Sequence, residues 1–100
     1  MEATQGLRLD ATTHCVEVDG RSVRLTESEF CLLSALVAAD GATVTREALL
    51  QAMWRSTWCG PSRTVDVHVA GLRRKLGDSA RAPRWVETVR GEGFRLLAPP

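Results

Sequence analysis

Short alternating runs of hydrophobic and polar residues open the chain of 100 residues. Leu7–Asp10, His14–Val18 and Arg21–Leu25 are β-prone runs separated by turn residues. Asp19-Gly20, between the last two runs, is a strong signal for a two-residue hairpin turn. The start of the chain is therefore predicted to form a small antiparallel sheet.

The hydrophobic period then changes to that of a helix. Thr26 and Glu29 form a capping box, so the first helix is predicted to begin after Thr26. It extends to about Ala39 and ends before Asp40-Gly41, where glycine can take the left-handed C-cap conformation. Its core-facing stripe consists of Phe30, Leu33, Leu36 and Val37.

A second helix is predicted to begin at Thr45, by the same capping logic. Its buried side consists of Leu49, Leu50, Met53 and Trp54. Arg55–Pro61 lacks any helical period and is predicted to be a loop. Trp54 and Trp85 both lie among apolar neighbours, so we expect them to anchor the core.

The third predicted helix covers residues 62–76, with Ser62 as N-cap and Gly77 after its end. One narrow arc holds the apolar stripe Val65, Val69, Leu72 and Leu76. The opposite arc holds Arg63, Val67, Ala70 and Arg74, with Thr64 and Gly71 beside it. A surface built only for water rarely uses valine, alanine and glycine. A helix that enters a DNA groove needs low-profile side chains for close approach and cations for phosphates or guanine edges.

The chain closes on a predicted hairpin with strands Trp85–Arg90 and Phe94–Leu97. Two glycines flank a charged residue at its tip, Gly91-Glu92-Gly93, which is typical of a hairpin turn. Thr88 and Arg90 lie two residues apart, so they are predicted to share one face of the hairpin near this tip.

The net charge of +1 hides an asymmetry along the chain. Residues 1–61 hold five Arg and eight acids, for a net charge of −3. Residues 62–100 hold eight Arg or Lys and four acids, for a net charge of +4. The basic half is the one with the third helix and the hairpin, which favours an anionic partner there.

Several classes of protein are excluded by what the sequence lacks. It has no apolar run long enough to span a membrane and no signal peptide, so we expect a soluble cytoplasmic protein. The cysteines are odd in number and widely spaced, so we expect free thiols and no metal site or cofactor. No nucleophile–base pair and no phosphate-binding glycine loop has a recognisable spacing, so no enzymatic activity is expected.

A sheet, three helices and an arginine-bearing hairpin follow the order of an α+β winged helix-turn-helix. From Leu7 to Leu97 the sequence resembles the DNA-binding effector domain of the OmpR/PhoB family of bacterial response regulators. The resemblance rests on five collinear segments, which are Asp19-Gly20, residues 25–33, residues 45–50, residues 63–76 and residues 88–95. It implies sequence-specific binding of double-stranded DNA by a bacterial transcription regulator.

By resemblance, the third helix enters the major groove and the hairpin is the wing. Arg63, Thr64, Val67, His68, Arg73 and Arg74 lie where family members contact phosphates and bases, and Thr88 and Arg90 lie where the wing meets DNA. Ala70 and Gly71 lie on the same groove face, where many members carry larger polar or basic residues. The loop with Arg55 and Trp58 matches the segment that in some members contacts RNA polymerase.

Family members usually carry an N-terminal receiver domain, for which this chain has no room. The chain is therefore either an excised effector domain or a small protein without phosphorylation control, and Met1–Gln5, which resembles the end of a linker, favours excision. We assign residues 1–6 to a linker or tail, 7–97 to the domain and 98–100 to a tail. No coiled-coil heptads are present, so we expect a monomer that pairs only on DNA, head to tail on direct repeats as in the family.

Some alternatives stay open from sequence. Trp58 either folds back over the core or stands exposed as a partner contact, and His68 has either a structural role or a phosphate contact. A winged helix could also be a protein-interaction module. Such a surface should centre on large aromatic or aliphatic anchors, whereas the outward face of the third helix offers arginines around small residues.

Overall fold

An N-terminal antiparallel sheet, three helices and a C-terminal antiparallel sheet make up the computed structural model, which describes residues 3–4, 6–56, 65–79 and 81–97. The N-terminal sheet has the order β1-β2-β3-β4, with strands Ala3–Thr4, Leu7–Asp10, Cys15–Val18 and Arg21–Arg24. The helices are α1 Glu27–Ala38, α2 Arg46–Ser56 and α3 Val65–Leu76. The C-terminal sheet has the order β5-β7-β6, with β5 Val44–Thr45, β6 Val86–Val89 and β7 Gly93–Leu96. The α+β winged-helix prediction is confirmed.

The Asp19-Gly20 turn joins β3 to β4 as the sequence predicted. Both residues have positive φ, 51° and 85°, which matches the type I′ turn that suits the twist of a hairpin. The sheet also extends into the segment assigned to a linker, because Ala3–Thr4 pair with β2. Alternate residues of β2, Leu7 and Leu9, are buried, so one face of the sheet covers the core.

The capping box of α1 is confirmed. The backbone N–H of Glu29 donates to Thr26 Oγ1 at 3.1 Å, and the N–H of Thr26 donates to Glu29 Oε1 at 3.0 Å. At the other end, the residue after the C-cap Ala39 is Asp40, which takes the left-handed conformation with φ 52°. The sequence had assigned this position to Gly41. The buried residues of the stripe are Leu32, Leu33, Leu36 and Val37, while Phe30 is only half-buried. The predicted stripe is thus confirmed for Leu33, Leu36 and Val37, and the buried side also includes Leu32, because α1 packs on α2, α3 and β7 over a broad arc.

The N-cap of α2 is Thr45, whose Oγ1 accepts the N–H of Ala48 at 3.0 Å. Leu49 and Met53 are buried as predicted. The prediction for Trp54 is wrong, since its side chain is 56% exposed. Trp54 lies 100° further around the helix than Met53, and this rotation carries it out of the arc that faces the core.

The strand β5 was not predicted, since two residues carry no periodic signal. Val44 and Thr45 pair with Phe94 and Gly93, which ties the start of α2 to the wing strand β7. A Cβ at Gly93 would lie 2.0 Å from the carbonyl oxygen of Val44. Only glycine therefore allows this strand pairing.

The apolar stripe of α3 is confirmed, since Val65, Val69, Leu72 and Leu76 are all buried. Gly77 ends the helix with φ 73°, and the N–H of Asp78 donates to the carbonyl oxygen of Arg73 at 2.8 Å, which completes a Schellman motif. The predicted N-cap Ser62 lies outside the described residues.

One carboxylate organises the segment between α3 and the wing. Asp78 accepts the backbone N–H groups of Ser79, Arg84, Trp85 and Val86 at 2.6 to 3.0 Å. Burial opposes the ionisation of Asp78, but these donors outweigh it and lower the pKa of its carboxyl group. Trp85 is 1% exposed, which confirms its predicted place in the core.

Two further predictions from the sequence concern membrane-spanning segments and the cysteine thiols. Over the described ranges, the longest helices are too short and too polar to cross a membrane. Cys15 and Cys31 are free thiols as predicted, and Cys59 lies outside the described residues.

Candidate nucleic-acid interface

The outward face of α3 is low in profile and open to solvent. Val67, Ala70 and Arg74 are exposed there, as the sequence predicted, and Val67 is 67% exposed. Asp66 lies at the edge of the same face near the start of the helix, where the positive end of the helix dipole favours a carboxylate. We call the surface of Val67, Ala70 and Arg74 the α3 face. It consists of short apolar side chains beside one guanidinium group.

Gly71 does not belong to the α3 face, so this prediction is wrong. It is buried against α1, where a Cβ on Gly71 would lie 2.7 Å from Glu29 Oε2. The helix wheel placed Gly71 next to the outward arc, but the wheel cannot show that α1 covers that side. Glycine here lets α3 approach α1 closely.

Glu29 is a buried charged residue at the edge of the hydrophobic core, and it is only 6% exposed. Its Oε1 accepts both the Thr26 N–H and the Lys75 ammonium, the latter at 2.7 Å. Burial opposes its ionisation, but the hydrogen bonds and charge of Lys75 and the bonds to Thr26 outweigh it, so the pKa of Glu29 is lowered. The carboxylate thus links the start of α1 to the last turn of α3.

The N-terminal end of α3 is attached to α2 by an ion pair. Arg46 donates to both carboxylate oxygens of Asp66, with its Nη2 3.0 Å from Oδ1, and this hydrogen bonding raises the pKa of the guanidinium group. The same guanidinium lies 4.8 Å from the centroid of the Phe94 ring in β7. Asp66 is thus a structural residue, paired with an arginine of α2.

The C-terminal half of α3 is attached to the wing by Arg73. Its Nη2 lies 2.8 Å from the carbonyl oxygen of Val86 and 2.8 Å from Thr88 Oγ1, and its Nε donates to the same carbonyl at 3.2 Å. Its guanidinium is also 5.9 Å from the centroid of the Phe94 ring. The sequence predicted a DNA contact for Arg73 and gave no signal for this bond across 15 residues.

The wing presents its polar residues at the tip. Thr88 and Arg90 are both exposed, Thr88 in β6 and Arg90 in the turn, where Gly91 has φ 76°. Behind them Arg95 of β7 donates to Glu87 of β6, so this arginine is bound within the wing. The turn that carries Arg90 is therefore held in place by the pairing of β6 with β7 on its two sides.

Other predicted site residues are less well placed or are not described. His68 is half-buried, which leaves both its structural role and its phosphate contact as predictions. Arg63, Thr64 and Trp58 lie outside the described residues. The prediction that Arg55 begins a loop is wrong, because α2 continues through it to Ser56. Among the residues described here, no group of three His, Cys, Asp or Glu side chains could hold a metal ion.

Comparison with known proteins places this geometry in a family. Residues 20–96 match the family described as transcriptional regulatory protein, C terminal. The chain is 37% identical over 90 residues to the sensory transduction protein RegX3 of Mycolicibacterium smegmatis, covering 90% of this chain and 40% of that protein. It is 41% identical over 92 residues to the transcriptional regulatory protein CseB of Streptomyces coelicolor, covering 90% and 37%. The chain thus spans less than half the length of these relatives.

Solved structures show the same architecture. The Klebsiella pneumoniae RstA DNA-binding domain, in complex with the RstA box, has a TM-score of 0.81 and 33% identity, covering 95% of this chain and 94% of that one. The AdeR DNA-binding domain, in complex with an intercistronic region, has a TM-score of 0.78 and 28% identity, covering 99% and 100%.

Proposed function

The chain belongs to the family of C-terminal effector domains of OmpR/PhoB-type transcriptional regulators, and we propose on this basis that it binds double-stranded DNA sequence-specifically to regulate transcription. In this proposal α3 enters the major groove and the β6–β7 hairpin is the wing. A regulator that acts on bacterial DNA works in the cytoplasm. A receiver domain joined to its N-terminal side remains a prediction from the resemblance.

The observation that carries the proposal is the α3 face. A helix fits the major groove only if its leading side chains allow the backbone to approach the base edges. Val67 and Ala70 are short and exposed, and Arg74 beside them supplies a planar donor suited to phosphate or guanine. Related domains solved on DNA, those of RstA and AdeR, support a duplex as the partner.

We assign the contacts by position. The major-groove side comprises Arg63, Thr64, Val67, His68, Ala70 and Arg74, and the wing side comprises Thr88 and Arg90. Gly71 is withdrawn from this set because it faces α1. With Ala70 at the centre of the α3 face, one domain makes few base-specific hydrogen bonds, and apolar contact with thymine methyl groups becomes the natural role of Val67 and Ala70.

A salt titration tests this function directly. Residues 62–100 hold eight cations, of which Lys75, Arg73 and Arg95 are bound within the domain. We expect about five to neutralise phosphates, so log K should fall with log salt with a slope of about −4 to −5. Binding of a labelled duplex by fluorescence anisotropy at three salt concentrations gives the slope. A slope near zero, or an absence of binding, would reject DNA as the partner.

A protein partner at the far end of α2 is a second candidate, and one observation favours it. Trp54 is 56% exposed, and it lies next in sequence to Arg55, which with Trp58 was predicted to contact RNA polymerase. Exposed tryptophan is typical of residues that dominate the energy of protein interfaces. We propose that Trp54 adds to this polymerase contact.

Transcription in vitro separates this contact from DNA binding. Trp54→Ala should lower transcription from a target promoter while DNA affinity stays within about twofold of the wild-type value, since Trp54 lies outside the α3 face. Gln51→Ala, which also truncates an exposed side chain of α2, is the matched control. Equal transcription by Trp54→Ala and the wild type would reject the contact.

A further inference from the structure

The position of Arg73 differs from that of the other arginine in the last turn of α3. Arg74 is exposed on the α3 face, whereas Arg73 is half-buried and turned toward β6. Three of the five N–H groups of Arg73 are satisfied by Val86 and Thr88. We infer that Arg73 is a positioning residue, which fixes the wing relative to α3 and orients the Thr88 hydroxyl toward DNA, and that it is not itself a phosphate contact. This inference rests on the proposed DNA binding.

The orientation of Thr88 follows from hydrogen-bond chemistry. A hydroxyl group has one hydrogen to donate and two lone pairs that accept. The guanidinium of Arg73 has no acceptor, so Thr88 Oγ1 must accept the bond at 2.8 Å and its hydrogen remains available for another partner. Because Thr88 is exposed, that hydrogen can be donated to a phosphate oxygen of a bound duplex.

The distance between α3 and the wing follows from the same bonds. The carbonyl oxygen of Val86 accepts from both Nε and Nη2 of Arg73, at the start of β6. Thr88 lies two residues further along the same strand, so the planar guanidinium spans two acceptors on one side of β6. Lysine would keep the charge of Arg73 but is a point donor, and could not hold both acceptors in this geometry.

The experiment compares DNA affinities of Arg73→Met, Arg73→Lys and Thr88→Val on one target duplex. Arg73→Met and Thr88→Val should each weaken binding about tenfold, the effect of losing one charge-assisted hydrogen bond. Arg73→Lys should weaken it nearly as much, because charge alone does not restore the bonds. The double variant Arg73→Met/Thr88→Val should be within about twofold of either single variant, since both break one unit. Thr88→Ser, which keeps the hydroxyl, should retain wild-type affinity.

A shortened duplex decides where Arg73 acts. The target is cut back at the end near the wing until Arg90→Ala binds it as tightly as the wild type does, so that the wing no longer touches DNA. On this duplex Arg73→Met should also match the wild type, whereas the matched control Arg74→Met should still be weaker. Urea unfolding of each variant checks that it is folded. If Arg73→Met does not fold, Arg73→Lys and Thr88→Val are compared in its place.

Two outcomes would overturn the inference. Wild-type affinity of Arg73→Lys would mean that a positive charge is sufficient, as at a phosphate contact. A loss by Arg73→Met on the shortened duplex would place Arg73 in the major groove. Failure of the proposed function is distinct from both, because the wild type itself would then not bind duplex DNA.

Discussion

Gly71 of α3 faces Glu29 of α1 so closely that a Cβ on Gly71 would lie 2.7 Å from Glu29 Oε2. The carboxylate cannot simply swing aside, because its other oxygen is bound to Thr26 and Lys75. The distance between α3 and α1 is therefore set by a residue without a side chain. This relationship ties the helix that we propose to enter DNA to the capping box of α1.

Gly71→Ala should destabilise the domain by up to about 2 kcal/mol. Alanine gains about 1 kcal/mol of helix propensity over glycine. Displacement of the buried Glu29 carboxylate from its donors costs about 1 to 3 kcal/mol and should outweigh that gain. Urea unfolding measures the change in the free energy of unfolding.

The same substitution in a Glu29→Ala background is the control for Gly71→Ala. With the carboxylate removed, only the helix propensity remains, so Gly71→Ala should now stabilise that variant by up to about 1 kcal/mol. A stabilising effect of Gly71→Ala in the wild type would contradict the proposed steric role of Glu29.

Stability should depend on pH through Asp78 and Glu29. Both carboxyl groups have pKa values lowered by folding, so the unfolded chain binds more protons than the folded chain as the pH falls. Their contribution is present above the unfolded values of about 3.9 for Asp and 4.3 for Glu, and is lost as the pH falls through the lower folded values. The free energy of unfolding should therefore fall as the pH is lowered below about 5.

Asp78→Asn isolates one of these groups. It should lower stability at neutral pH by about 1 to 3 kcal/mol, because an amide is a weaker acceptor for the backbone N–H donors, and it should flatten the fall at acid pH. Ser79→Ala leaves the Asp78 carboxylate in place and should keep the wild-type pH profile. Urea unfolding between pH 3 and 7 gives both quantities, and an unchanged slope in Asp78→Asn would contradict this role.

The α3 face and the wing should differ in what they recognise. Arg74→Ala or Val67→Asp should cost about 1 to 3 kcal/mol on the cognate site and far less on random DNA, because base contacts carry the specificity. Arg90→Ala should weaken binding to both DNAs more evenly. Anisotropy with both duplexes measures the effect, and equal losses for all variants on both would mean that the reading face is wrongly assigned.

Two domains should cooperate on one DNA. We propose head-to-tail binding to direct repeats with half-sites about 10 to 11 base pairs apart, so that both helices meet the same side of the duplex. Inserting about five base pairs between the half-sites should abolish cooperativity, since it turns one domain to the opposite side. Gel-shift titrations test the spacing. A tight dimer in sedimentation without DNA would be inconsistent with pairing only on DNA.

Local sequence determined most of the helices and strands and several of their ends. The capping box at Thr26 and Glu29, the turn at Asp19-Gly20 and the stop at Gly77 were predicted and are confirmed. Each depends on hydrogen bonds or backbone angles within a few neighbouring residues, so the information lies in the segment itself. The buried stripe of α3 follows in the same way from the helical period, and with it the opposite, exposed side.

Only the tertiary structure decided which of the other helix positions are buried by a neighbouring element. It buried Gly71 against Glu29, turned Arg73 toward Thr88 and left Trp54 exposed. A helix wheel gives the angle of a side chain around its own axis, but the burial of that side chain depends on which other element lies along that direction. The short strand β5 was missed for the same reason, since its partner in β7 is about fifty residues away and two residues carry no period of their own.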